Sequence, residues 1–242
     1  ARIYLTNALE PPSDIQAELE VTSPALAHEA KAVNEIKHYK RFTVVIGNPP
    51  YSVSTQNRGA WALTLITRYK SGLNEKKHTL NDDYVKFVAF SQWCIDSSGL
   101  GVWGFITNHG FLKNPTFRGM RRELIDGFSD LYVCDLHGNL RQNEEHPSAA
   151  TDENVFVEIQ QGVSITLGKK VAGKPRPSKV SFTELWGSRA EKYEVLNRTS
   201  AYLTKSNQLS PCSPFFLLVP QNEEIRKEYV QWPSLAEAFV CF

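Results

Sequence analysis

Phe42-Thr43-Val44-Val45-Ile46-Gly47-Asn48-Pro49-Pro50-Tyr51 is the stretch that decides how this chain folds and where its chemistry lies. Phe42 to Ile46 is a continuous apolar, β-branched run, the pattern of a strand buried on both faces. It stops at Gly47 and runs straight into two prolines, which fix φ and remove two N–H donors. Proline also biases Asn48 toward an extended backbone. The loop is therefore stiff and rich in acceptors. The Asn48 side-chain oxygen and the Pro49 carbonyl are expected to face an open pocket without local donors. Ligands of open α/β sheets bind at such carboxyl ends of strands, and Tyr51 adds a flat π-face beside the acceptors. The set suits a planar guest with an exocyclic amino group, held by its two N–H bonds while its ring stacks on tyrosine. An ordinary strand-terminating turn uses the same residue types and stays open as the alternative.

Outward from this segment the pattern alternates. Residues 2–6 read as a short strand and 13–40 as helical stretches. A short helix is expected between polar stretches at 52–59 and 70–81. Asp82 to Ser97 is the clearest helix, with Val85, Val88, Ala89 and Trp93 on one side. A glycine turn leads to a strand at Val102–Thr107, a helix at Phe117–Phe128 and a strand at Leu131–Leu136. A polar loop over 137–152 precedes Val155–Ile159 and Val163–Leu167, which read as paired strands. A last helix is expected near Glu184 to Asn197. Strand alternating with helix is α/β grammar, here with antiparallel strands at the C-terminal end of the sheet.

The 242 residues carry 27 basic and 26 acidic side chains, so any nucleic acid or membrane must be met by a local patch rather than a global field. Lys169 to Lys179 (KKVAGKPRPSK) holds five cations and no acid in sequence. It reads as a linker or hairpin that opens a second unit at 169–242 after a first at 1–168, with Lys169, Lys170, Lys174, Arg176 and Lys179 as phosphate contacts. Arg118, Arg121 and Arg122 read as a solvated helix face. Apolar runs fall far short of the ~18 residues a membrane span needs. With no export leader the chain is expected to be cytoplasmic, and Cys94, Cys134, Cys212 and Cys241 to be reduced thiols. His137 and His146 flank a polar loop and read as solvated, so no metal is expected. Gly99-Leu100-Gly101-Val102-Trp103-Gly104 matches G-x-G-x-x-G but follows a helix and opens a strand, the reverse of a dinucleotide site.

Asn48-Pro49-Pro50-Tyr51 resembles the fourth motif of amino methyltransferases that use S-adenosylmethionine. Asp82-Asp83-Tyr84-Val85-Lys86-Phe87 resembles their fifth motif, and Ser98 to Gly101 with the strand after it their sixth. Asn154-Val155-Phe156 with Gln161 to Ile165 resembles the eighth, in which an aromatic covers the far face of a flipped base. The order of blocks, with Ile3 to Leu9 ahead of them, is similar to adenine-N6 DNA methyltransferases and most of all to type ISP restriction–modification enzymes. The resemblance implies a doubly wound, Rossmann-like catalytic sheet acting on double-stranded DNA. It implies catalysis by Asn48, Pro49, Pro50 and Tyr51, with base stacking by Tyr51 and Phe156. It places the cofactor at Asn7, Asn48, Tyr84 and Phe87, and makes 169–242 the start of a target-recognition region.

One departure is large. A doubly wound cofactor domain needs a Gly-rich first loop and an acidic second-strand residue, each in a βαβ unit of ~30 residues or more. The 47 residues before Asn48 hold no such loop. The Asn7 position resembles the third motif, where the family usually has an acid. The chain is thus expected to be a fragment lacking the N-terminal cofactor half, with nuclease or helicase parts in its parent. Two rivals remain at this point: a protein glutamine methyltransferase, which also uses N-P-P-Y, and a non-catalytic DNA-binding fragment.

Overall fold

A computed structural model describes residues 3–12, 24–51, 57–73, 78–142, 144, 148, 151–173, 178–198 and 206–233. Its helices are α1 (Pro24–Tyr39), α2 (Ala60–Leu65), α3 (Thr67–Lys70), α4 (Asp83–Ser98), α5 (Arg118–Gly127), α6 (Arg189–Asn197) and α7 (Glu223–Gln231). Its strands are β1 (Val44–Gly47), β2 (Gly101–Asn108), β3 (Asp130–Asp135), β4 (Val163–Lys170), β5 (Lys179–Glu184) and β6 (Asn207–Leu209). They form one mixed sheet in the order β1-β2-β4-β3-β5-β6. β1 runs parallel to β2 and β3 parallel to β5, while β4 lies antiparallel between β2 and β3. β1, β2, β3 and β5 therefore all point their carboxyl ends at one edge of the sheet, and β4 starts there.

The α/β alternation places α4 and α5 on one face of the sheet, while Val195 and Leu196 of α6 pack on a smaller cluster at the other. Val85, Val88 and Ile95 of α4 and Met120 and Leu124 of α5 pack on Trp103, Phe105, Val133 and Phe182. Burying such side chains stabilises by roughly 1.5–3 kcal/mol each. α4 stops at Gly99, which sits at φ 76 and donates its N–H to Ile95 O and Asp96 O, a left-handed helix cap. The G-x-G-x-x-G match is thus a helix stop followed by a strand.

Several expectations need correction. Residues 3–7 join no sheet; Leu5 N–H donates instead to Glu29 of α1, and Lys37 donates to the carbonyls of Asn7 and Glu10. β1 is not buried on both faces: it is an edge strand whose Val45 packs on the core while Val44 and Ile46 stay 58% and 77% exposed. Val102 and Leu167 continue that open face across β2 and β4. Trp93 turns outward from α4 against Trp61 and Phe90. Residues 155–159 form no strand, so β4 pairs with β2 and β3 and sits inside the sheet rather than at its end. The boundary expected after residue 168 falls inside β4, and β5 and β6 on its far side continue the same sheet.

Arg121 is the clearest reversal. It is fully buried, and its guanidinium donates to the carbonyls of Phe111, Asn114 and Phe215. Burial, with Arg118 nearby, pulls it down to about 10, which leaves it charged at neutral pH. The trio read as a solvated face thus contains a core clamp. Arg121→Ala takes their donor from the carbonyls of Phe111 and Phe215, while Asn114 O keeps the Phe117 N–H, and should destabilise by about 2–5 kcal/mol. Urea unfolding checks this, and a loss below about 1 kcal/mol contradicts the clamp.

Candidate active site

β1 delivers Asn48 to the carboxyl edge of the sheet, exposed, with Pro49 buried beneath it and Tyr51 half-buried. The Tyr51 hydroxyl donates to Asn48 Oδ1 at 2.9 Å. The acceptor expected to be free therefore has one partner within the chain, and its second lone pair remains for a guest. Burial pushes the Tyr51 phenol up, so it remains a donor at neutral pH.

Tyr51 and Phe156 come together across 105 residues of sequence, with ring centroids 6.1 Å apart and planes 48° to one another. A ring inserted between two parallel rings needs two layers of ~3.5 Å each, about 7 Å. The two aromatics are in contact, and admitting a base requires them to turn parallel and part by roughly 1 Å.

Beside this pair the same edge buries a polar network. His109 follows β2 directly and Asp135 ends β3. Asn139 Oδ1 accepts from the backbone N–H groups of Arg141 and Gln142, which turns its Nδ2 toward His109 Nε2 at 3.0 Å. Nε2 is then the acceptor, so Nδ1 carries the proton and donates to Asp135 Oδ1 at 2.9 Å. His109 lies on Gly162, where any Cβ would stand 2.2 Å from the ring. His137 is not solvated but 7% exposed, stacked on Trp186 with centroids 3.4 Å apart. Its Nε2 meets Glu184 at 3.2 Å, and its Nδ1 faces Glu144 and Asp135 at 3.6 and 3.9 Å. His109, Asp135 and His137 bring ligand-type atoms within 4.8 Å of one another. His146 lies outside the described residues.

The other expected site residues fare unevenly. Tyr84 is 2% exposed, enclosed by Phe111 and Phe117. Phe87 is half-buried against the main core. Asn7 Nδ2 donates to Glu10 and Asn57, and its Oδ1 accepts from Leu9 N–H. The basic segment is accompanied by acids in space: Lys170 Nζ lies 2.6 Å from Asp96 and Lys169 Nζ 3.6 Å from Asp130. Lys179 is exposed, and Lys174 and Arg176 lie outside the described residues. Cys94 and Cys134 are buried free thiols, pushed by burial up to about 12. No helix among the described residues is long and apolar enough to cross a membrane.

The profile of the Eco57I restriction-modification methylase family matches residues 6–139, more than half of the chain and the part that carries Asn48 to Tyr51. The chain belongs to that family. Among curated proteins none matches. The solved structures that share the fold of this Eco57I-type methylase chain include the following three. The ATP-dependent type ISP restriction-modification enzyme LlaBIII bound to DNA matches with TM-score 0.69 and 24% identity over 83% of this chain. The DrdV–DNA complex matches with TM-score 0.67 and 22% identity over 87%. A nuclease-deletion mutant of the type ISP enzyme LlaGI with a DNA substrate mimic matches with TM-score 0.69 and 17% identity over 85%. The chain spans only 14%, 21% and 17% of those three chains.

Sequence reasoning missed the polar network of this methylase chain, although the signal existed. The rule that singles out Asn48, a polar residue directly after a parallel strand, applies equally to His109 and His137. The network also makes stability depend on pH. Burial works to raise the Glu144 carboxyl, but His137, His109 and Lys113 hold it down at about 2. Burial works against charging His137, but Glu144, Asp135 and Glu184 together raise it. Glu144 contributes stability above its unfolded value of 4.5, lost as pH falls toward 2. His137 contributes stability below its unfolded value of 6.5, lost as pH rises through its higher folded value. The margin of wild type over Glu144→Gln should therefore be widest between pH 4.5 and 6.5 and shrink on both sides. Thermal melts from pH 3 to pH 9 test this, and a margin flat with pH contradicts it.

Proposed function

We propose that this chain carries the base-binding half of an adenine-N6 DNA methyltransferase belonging to a restriction–modification enzyme. The observation that carries the reading is the meeting of Asn48, at the carboxyl end of β1, with the Tyr51–Phe156 ring pair. Acceptors beside two aromatic faces suit a purine with an amino group, whereas the amide of a glutamine side chain has no ring to stack. The partner is double-stranded DNA, and the target adenine leaves the helix at a cost of a few kcal/mol. Asn48 Oδ1 and the Pro49 carbonyl accept the two amino N–H bonds while Tyr51 and Phe156 sandwich the ring. These bonds draw the amino nitrogen out of conjugation and leave its lone pair exposed. Its proton becomes acidic as the nitrogen attacks, so no strong base is needed. Catalysis is then orientation and electrostatic placement.

The methyl group would come from S-adenosylmethionine, whose sulfonium makes it electrophilic. The residues expected to hold that cofactor do not form its pocket by themselves. Tyr84 is enclosed in the core, and both amide hydrogens of Asn7 are already donated within the chain. The 242-residue chain alone should accordingly bind S-adenosylmethionine no tighter than millimolar. Isothermal titration tests this, and micromolar affinity would refute it.

In the full-length protein, Asn48→Ala should lower methyl transfer to adenine by about 10²-fold or more, the scale of one lost orienting group in a preorganised site. Its thermal melt should match wild type because Asn48 is exposed. Transfer of labelled methyl to duplex DNA reads the outcome, and undiminished activity removes Asn48 from the reaction.

A further inference from the structure

Phe156 lies on a segment that has no strand ladder to hold it, since residues 151–162 form neither helix nor strand. Side chains hold it instead. Asn154, 4% exposed, accepts the Phe156 N–H on Oδ1 at 2.9 Å. Its Nδ2 donates to Gly138 O at 3.0 Å and Gln161 O at 2.7 Å, so one amide joins three backbone segments. From the other side α6 grips three successive carbonyls. Lys192 Nζ donates to Glu153 O at 2.6 Å, Arg189 Nε to Asn154 O at 2.9 Å, and the Tyr193 hydroxyl to Val155 O at 3.0 Å. Lys192 also reaches Leu136 O and the Asp152 carboxylate, tying the clamp to the end of β3. The helix is set for this by a capping box between Ser188 and Glu191.

We propose that Asn154, together with the Arg189–Lys192–Tyr193 face of α6, positions Phe156 as the second wall of the base slot. A buried amide with all its bonds made in one geometry leaves the Phe156 backbone a single position. The ring must part from Tyr51 to admit a base, and a fixed backbone confines that movement to side-chain rotation. The clamp thus sets the slot from outside it: none of its four side chains is placed against the base. Asn154, Phe156 and α6 all follow residue 139, so the segment beyond the family match builds part of the site.

The proposal rests on the base-stacking reading, and a double-mutant cycle separates the two. The probe is duplex DNA with adenine opposite an abasic site, titrated into full-length protein. Phe156→Ala should weaken binding by about ten-fold, within the range of one lost stack. Asn154→Ala should weaken it by a similar factor, and the double variant should be no weaker than Phe156→Ala alone. If Asn154→Ala costs its full factor in the Phe156→Ala background as well, Asn154 is merely structural and the proposal is overturned. If Phe156→Ala itself leaves binding unchanged, the stacking reading fails and the proposal falls with it. Should Asn154→Ala not fold, Tyr193→Phe deletes only the bond to Val155 O from a half-exposed side chain. It should weaken binding two- to three-fold with Phe156 present and leave it unchanged without. Equal effects in both backgrounds overturn the proposal.

Discussion

The antiparallel insertion of β4 between β2 and β3 is the constraint on which the site depends. Four strands direct their carboxyl ends at one edge, and β4 can join them in the opposite sense only by starting at that edge. The chain leading into it must cross the strand ends first. That crossing places residues 152–162 over the ends of β2 and β3 and carries Phe156 to Tyr51. A strand added in parallel would have started at the far edge, with no reason for the two rings to meet.

Crossing a sheet edge without forming a ladder leaves backbone groups to be satisfied by other means. Here the partners are buried side chains: Asn154, Asp152 and Lys192 on the crossing segment and its helix, and His109, Asp135 and Asn139 beneath it. Such a network is costly if any member is removed, because each unpaired buried group forfeits its solvation, roughly 1–3 kcal/mol apiece. It is correspondingly specific. Only one arrangement satisfies the amide of Asn139, the tautomer of His109 and the carboxylate of Asp135 together.

Burial and charge divide the molecule's cations in a way that their sequence positions do not show. Arg121 and Lys192 are enclosed and hold backbone carbonyls, while Lys170 and Arg68 share Asp96. These side chains organise the fold. Among the described residues the exposed cations, Lys179 included, are scattered along strands and helix ends.

The α/β alternation, a helix at Asp82–Ser97 (Asp83–Ser98 in the structure) with its glycine stop, and Asn48 at the carboxyl end of a strand are all legible in the residues alone. Each of these is a local property, written in hydrophobic period, φ-setting prolines and a left-handed glycine. The membership of Tyr51 and Phe156 in one pair is legible too, through resemblance rather than through any period. That β1 is the edge strand among the described residues, and that residues 155–159 stay irregular, depends on long-range packing. So does the placing of Tyr84 and Arg121 in the core, and of acids beside Lys169 and Lys170. These turn on which strand neighbours which and on what covers each face. A segment's own residues carry no record of that, because the partners come from 30 to 100 positions away and are chosen by the packing of the whole sheet.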